Sequence, residues 1–126
     1  MGGGGNGPVE RISAVTLVCS DMAASVRFYD ALGFETLYGG AGAAFTSLAV
    51  GSGFLNLQLG ASRAPVDGAW GRIVLWVDDV DAMHARAIGA GFRPSSEPED
   101  APWGERYFHL RDPDGHELSF ARPLAR

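Results

Sequence analysis

No lysine occurs in this chain, and arginine supplies all ten basic residues. That usage reflects a GC-rich genome more than a function. With a net charge of −5 there is no basic stripe to neutralise phosphates, which excludes nucleic acid as a partner. Cysteine is nearly absent as well. Cys19 stands alone, so no intrachain disulfide can form and nothing calls for an oxidising compartment. It sits in an alternating run and reads as a small buried hydrophobe, not as a nucleophile. No apolar stretch approaches the ~20 residues that span a bilayer, and Met1 to Gly7 lacks the apolar core of a signal peptide. The chain is expected to be cytoplasmic. Also missing are a G-x-S-x-G elbow, a P-loop and a dinucleotide fingerprint; Gly39-Gly40-x-Gly42 opens no helix and reads as a turn.

What is present is said twice. Asp21-Met22-Ala23-Ala24-Ser25-Val26-Arg27-Phe28-Tyr29 leads to Leu32-Gly33-Phe34, and Asp79-Val80-Asp81-Ala82-Met83-His84-Ala85-Arg86 leads to Ala90-Gly91-Phe92. A β-like run precedes each copy (Ile12 to Cys19; Ile73 to Asp78) and extended segments follow it. Two strand–helix–strands units in 126 residues point to a pseudo-symmetric fold with a groove between or across its halves.

The pattern predicts a first strand over Ile12 to Cys19, then a helix capped by Ser20 or Asp21 with Val26, Tyr29 and Leu32 inward and Gly33 as its stop. Phe34 to Tyr38, Ala44 to Val50 and Phe54 to Leu59 read as strands. After a linker at 60–71, Arg72 to Val77 starts the second unit, followed by a helix from Val80 to Ala90 and a short strand at Phe92-Arg93. Ser95 to Gly104 is a Pro- and acid-rich loop, and Arg106 to Arg111 and Glu117 to Ala121 form a hairpin across Asp112-Pro113-Asp114-Gly115. The fold class is α+β: two βαβββ modules forming a cupped mixed, mainly antiparallel sheet with helices on its outer face. Residues 1–10 read as a disordered Gly-rich tail and 11–126 as one domain, with modules at 11–60 and 72–124.

This order, with Phe28-Tyr29-x-x-Leu32-Gly33-Phe34 after the first helix and Asp112-Pro113-Asp114-Gly115 in the last hairpin, resembles the vicinal oxygen chelate superfamily. Glyoxalase I, extradiol dioxygenases, fosfomycin-resistance enzymes and bleomycin-resistance proteins belong to it. The likeness runs from Arg11 to Leu124. Fold does not decide function here, because the scaffold hosts isomerases, oxygenases, transferases and drug binders. In metal-using relatives four strands present His or Glu ligands. The resemblance places Ala14, Gln58 (or Asn56), Arg72 and Ser119 at those positions. Alanine cannot ligate, arginine repels a cation, and the remaining two are weak neutral donors. The resemblance therefore implies a metal site that has been lost.

Strand alternation puts Arg72, Val74 and Trp76 on one face, with Asn56 and Gln58 and with Glu117 and Ser119 facing the same groove. Arg72 has two readings: an internal ion pair with Glu117, or a contact to an anionic or carbonyl-bearing ligand. Glu117 is either that structural partner or a general base. His84 is expected to face solvent, and His109 and His116 form no paired-ligand motif. Trp70, Trp76 and Trp103, joined by Phe45, Phe54, Tyr107 and Phe108, suit a flat, partly apolar ligand or, alternatively, an ordinary core or dimer interface.

The ligand-binding set is Arg72, Trp76, Gln58, Asn56, Trp103, Tyr107, Phe108, Ser119 and Glu117, with Glu117 the candidate catalytic residue and no metal or other cofactor expected. The function expected is a cytoplasmic homodimer of the bleomycin-resistance type that holds a flat aromatic small molecule, an antibiotic being one class. The chain shows no excess of groove acid to match a strongly cationic drug. The alternatives are a metal-dependent glyoxalase-like lyase or dioxygenase, which requires another strand register or unusual ligands such as Gln58, His109 and Glu117, and a metal-free lyase or isomerase using Arg72 and Glu117.

Overall fold

Asp21 and Asp79 start the two helices in the same way. Each side chain accepts from the backbone N–H three residues on, at 3.1 Å from Ala24 and 2.9 Å from Ala82, and so satisfies a donor the helix leaves free. Gly33 and Gly91 follow the helix ends at φ +99° and +93°, the left-handed stop that glycine adopts without strain. A computed structural model describes residues 7–60 and 70–124. The elements run β1 (Ala14–Cys19), α1 (Met22–Ala31), β2 (Glu35–Tyr38), β3 (Phe45–Val50), β4 (Gly53–Leu59), β5 (Arg72–Trp76), α2 (Val80–Gly89), β6 (Glu99–Asp100), β7 (Glu105–Arg111) and β8 (Glu117–Pro123). The expected α+β class and the two βαβββ modules are present. Among the described residues the strands form two four-stranded mixed sheets, one per module, ordered β1-β4-β3-β2 and β5-β8-β7-β6.

In each module the first strand runs parallel to the last and the other pairs are antiparallel. Strand alternation divides the faces as expected. Leu17, Cys19, Leu48, Leu55, Leu57, Leu75, Phe108, Leu110, Leu118 and Phe120 turn inward and pack with Phe28, Tyr29, Leu32, Val80 and Ala87 of the helical layer. Two expectations need correction. Phe92-Arg93 is not a strand; the short edge strand lies instead at Glu99–Asp100, inside the segment read as a loop. Pro94 and Pro98 cannot donate to a ladder, so before that strand the chain is tied to β7 by the Ser95 N–H on the His109 carbonyl and by Ser96 Oγ accepting from the His109 N–H. His84 does not face solvent freely: it is half-buried and meets the Phe108 ring edge-on at 5.0 Å.

The modules are joined by the β7–β8 turn. Tyr29 Oη donates to Asp112 Oδ2 at 2.7 Å, while Asp112 Oδ1 accepts from the N–H groups of Asp114 and His116. Asp114 reaches the start of α1, accepting from the Ser20 N–H and hydroxyl at 3.1 and 2.7 Å. Burial and the neighbouring Asp112 carboxylate hold the Tyr29 phenol well above its usual 10, so it stays a donor. Phe28 packs on Phe92 at 4.6 Å, and Arg86 donates to the Ala31 carbonyl. Among the described residues no helix is long and apolar enough to cross a membrane. Residues 7–10 are exposed and lie outside any element; the rest of the tail, and positions 61–69 of the linker, fall outside the described residues.

Candidate functional site

The face of the sheets away from the helices is open. On it the first module presents Ala14, Thr16 and Val18 beside Phe54, Asn56 and Gln58, and the second presents Arg72, Val74 and Trp76 beside Glu117, Ser119 and Ala121. Ala14 pairs with Phe54 as Arg72 pairs with Glu117, and two residues on Asn56 matches Ser119. Of the two residues considered for the first-module position, the internal symmetry therefore selects Asn56.

Asn56 is engaged by its neighbours: its carbonyl oxygen accepts from the Ser47 hydroxyl and its amide donates to Thr16 Oγ1 at 3.2 Å. Gln58 is exposed one row further along. A divalent cation needs several anionic or imidazole donors converging on one point. Ala14, Asn56, Arg72 and Ser119 do not fit one, since the set contains no anionic or imidazole donor and one permanent cation.

The second module gathers the charged groups. Glu117 is 11% exposed and lies between two guanidinium groups, with Arg72 Nη2 at 3.1 Å from Oε2 and Arg111 Nη2 at 3.6 Å from Oε1. Of the two readings of Arg72, the ion pair with Glu117 is thus formed. Arg111, which the sequence reading passed over, completes the row because β7 register sets it opposite Glu117. His109 stands one row along, its Nδ1 3.8 Å from Glu117 Oε2, too far for a hydrogen bond. That nitrogen is buried and has no hydrogen-bond partner among the described residues.

Burial first, and then the Arg72 guanidinium, push the His109 imidazole below its usual 6.5 against the opposing pull of Glu117 and Glu99. A depressed folded pKa means that folding favours the neutral ring. Its contribution to stability is complete above the unfolded value and is lost as pH falls toward the folded one. The stability advantage of wild type over His109→Gln should therefore shrink as melts are taken from pH 8 to pH values below about 6.5. An advantage constant across that range would contradict this placement of His109.

Aromatic groups form the other end of this face. Trp76 is 65% exposed and Trp103 73%, yet both indoles are oriented. Trp103 donates to Glu105 Oε1 at 3.1 Å and Trp76 to Oε2 at 3.3 Å. Since Trp76 is on β5 and Glu105 on β7, the Trp76 ring crosses β8 above Ala121, which is fully buried. Trp103 stacks with Tyr107, and Tyr107 meets His109 at 5.0 Å. Glu105 was missed from sequence; its parity with Tyr107 and His109 was the available signal.

Phe108 does not belong to this set. It is fully buried on the helix side against Phe120, as strict alternation after Tyr107 requires. Ser119 lies on the open side but is covered. Trp70 donates to His116 Nδ1 at 3.0 Å, so the ring proton sits on Nε2 and donates to the Val18 carbonyl at 2.9 Å. This makes His116 a brace between the modules.

Between β1, β4 and β5 a cleft of about 570 Å³ runs past Ala14, Phe54, Arg72 and Val74. Val18, Phe45, Phe54, Val74 and Trp76 leave much apolar surface exposed on this side.

Comparison with known proteins gives a consistent picture. Residues 11–120 match the Glyoxalase/Bleomycin resistance protein/Dioxygenase superfamily. TioX from Micromonospora sp. ML1 is similar in structure, with a TM-score of 0.71 at 28% identity over 88% of this chain and 97% of that one. A superfamily member from Nocardioides aligns with a TM-score of 0.76 at 21% identity, covering 94% of this chain and 87% of its own. A lactoylglutathione lyase from Agrobacterium tumefaciens aligns at 0.72 and 21%, covering 91% and 95%. The last two likenesses concern the fold alone. An uncharacterized protein of Mycobacterium tuberculosis is 44% identical over 52 residues, 41% of this chain. That match spans 31% of the relative's length.

Proposed function

The chain belongs to the Glyoxalase/Bleomycin resistance protein/Dioxygenase superfamily, and on that premise we propose that it is a metal-free binding protein of the bleomycin-resistance type, holding a flat aromatic small molecule on its open face. One observation carries this reading: Arg72, which the family resemblance aligns with a metal-ligand position, is a guanidinium paired with Glu117 beside an exposed bank of oriented indoles. A cation fixed there disfavours a divalent ion by direct repulsion. Exposed tryptophan rings supply large apolar area with a fixed orientation, which suits stacking on a planar ligand.

The same apolar face supports a homodimer. Val18, Phe45, Phe54 and Val74 are each between 37% and 52% exposed, and a second copy related by a two-fold axis would cover them and deepen the cleft.

Metal content of protein purified without chelator, paired with melting temperature, tests the proposal. Incubation with nickel, zinc, manganese or ferrous ions should leave no ion at stoichiometric level and no shift in Tm. One tightly held ion per subunit would overturn the metal-free reading and favour a lyase or dioxygenase. A genuine ligand must raise Tm, by the equivalent of about 2.7 kcal/mol at a hundred times its Kd. Arg72→Ala should weaken every ligand so identified; unchanged binding would move the site elsewhere.

A further inference from the structure

We propose that the molecule recognised on the open face is an aromatic anion, its charged group held by Arg72 and Arg111 and its ring system lying along Trp76 and Tyr107. This rests on the small-molecule reading above and adds the chemical class.

The charge balance of the site points that way. The row formed by Arg72, Glu117 and Arg111 holds two guanidinium groups and one carboxylate, in a chain whose overall charge is −5. Glu117 is nearly covered, whereas Arg72 and Arg111 are 48% and 41% exposed. What the row offers to an incoming molecule is therefore cationic. Among the described residues Arg72 makes one ion contact, through Nη2, and a guanidinium carries five N–H donors. Arg111 uses Nη1 on the Gly115 carbonyl at 2.7 Å and reaches Glu117 only at 3.6 Å. Set against the described residues, both retain donors for a second anion.

The geometry further sets the shape of the anion. Arg72 and Trp76 share a face of one strand four residues apart, about 13 Å along the backbone, a span that long side chains shorten. A fused two-ring acid fits it. The carboxylate at the aromatic end, Glu105, already accepts from two indole N–H groups, which leaves it poorly placed to select a cation. The exposed Glu99 lies across from Tyr107 and not beside the arginines.

Calorimetric titration of the full chain with three isosteric probes tests this: 2-naphthoate, 2-naphthamide and 2-naphthylmethylammonium. The naphthoate is expected to bind at least about tenfold more tightly than the amide, because hydrogen bonds to a charged group outweigh neutral ones. The ammonium should bind most weakly. In Arg72→Gln and Arg111→Gln the naphthoate and amide affinities should converge, and Arg72→Lys should keep part of the preference. In wild type, raising NaCl from about 50 to about 500 mM should weaken the naphthoate more than the amide, a readout that needs no variant to fold. Amide or ammonium binding as tight as naphthoate would overturn the anion assignment and leave the small-molecule reading standing. No binding of any probe at millimolar concentration would overturn both.

Discussion

Asp112→Ala should destabilise the protein by about 4 kcal/mol, because each buried hydrogen-bond donor left without a partner costs about 1–3 kcal/mol and this carboxylate serves three. It is 5% exposed and accepts from the Tyr29 hydroxyl, the Asp114 N–H and the His116 N–H. Two of these bonds hold the β7–β8 turn and the third reaches α1 in the other module, so one truncation loosens the hairpin and the joint together. For a domain of this length the loss corresponds to a fall in Tm of about 10–20 °C.

Burial raises the Asp112 pKa even though Tyr29 and the turn amides favour its ionised form. A raised folded pKa means that the group's contribution is greatest below its unfolded pKa and declines as pH rises through the folded one. The carboxylate is thus retained for its acceptor geometry despite the cost of burying its charge. Asp112→Asn keeps one acceptor oxygen and should lose about half as much as Asp112→Ala. Thermal melts of the two variants beside Tyr29→Phe check this; a fall below about 1 kcal/mol for Asp112→Ala would mean that the joint does not hold the modules.

The second large effect separates core from site. Phe108→Ala should cost about 3–5 kcal/mol, the usual price of emptying a buried phenylalanine position. Phe108 is fully buried, stacks on Phe120 at 5.3 Å and receives His84 edge-on. Phe108→Leu should lose much less, with naphthoate affinity changed by no more than about twofold, since the side chain points away from the open face. Trp76→Ala should behave in the opposite way, sparing stability and weakening the ligand, because the indole is mostly exposed. Chemical denaturation and the probe titration together decide the matter. A Phe108→Leu protein of normal stability that bound naphthoate poorly would return this residue to the site.

Much of the fold was legible in the chain because its causes are local. Asp21 and Asp79 cap helices through atoms three residues away, Gly33 and Gly91 stop them by backbone freedom, and alternation alone assigned Arg72, Val74 and Trp76 to one face. The duplication of these local signals implied two equal modules, and each forms one four-stranded sheet among the described residues. The same alternation separates Tyr107 from Phe108, and their joint assignment to the groove overlooked it.

Other relations depended on pairings between distant segments. Arg111 faces Glu117 only because the β7–β8 register sets them opposite. Glu105 orients two indoles because β5 and β7 flank β8. Asp112 and Asp114, read from sequence as turn residues, also clasp Tyr29 and Ser20 more than eighty positions away. A residue's period and propensity specify which way its side chain points; which partner it meets there is decided by how strands pair and modules dock, and that is what sets two guanidinium groups about the one carboxylate of the Arg72–Glu117–Arg111 row.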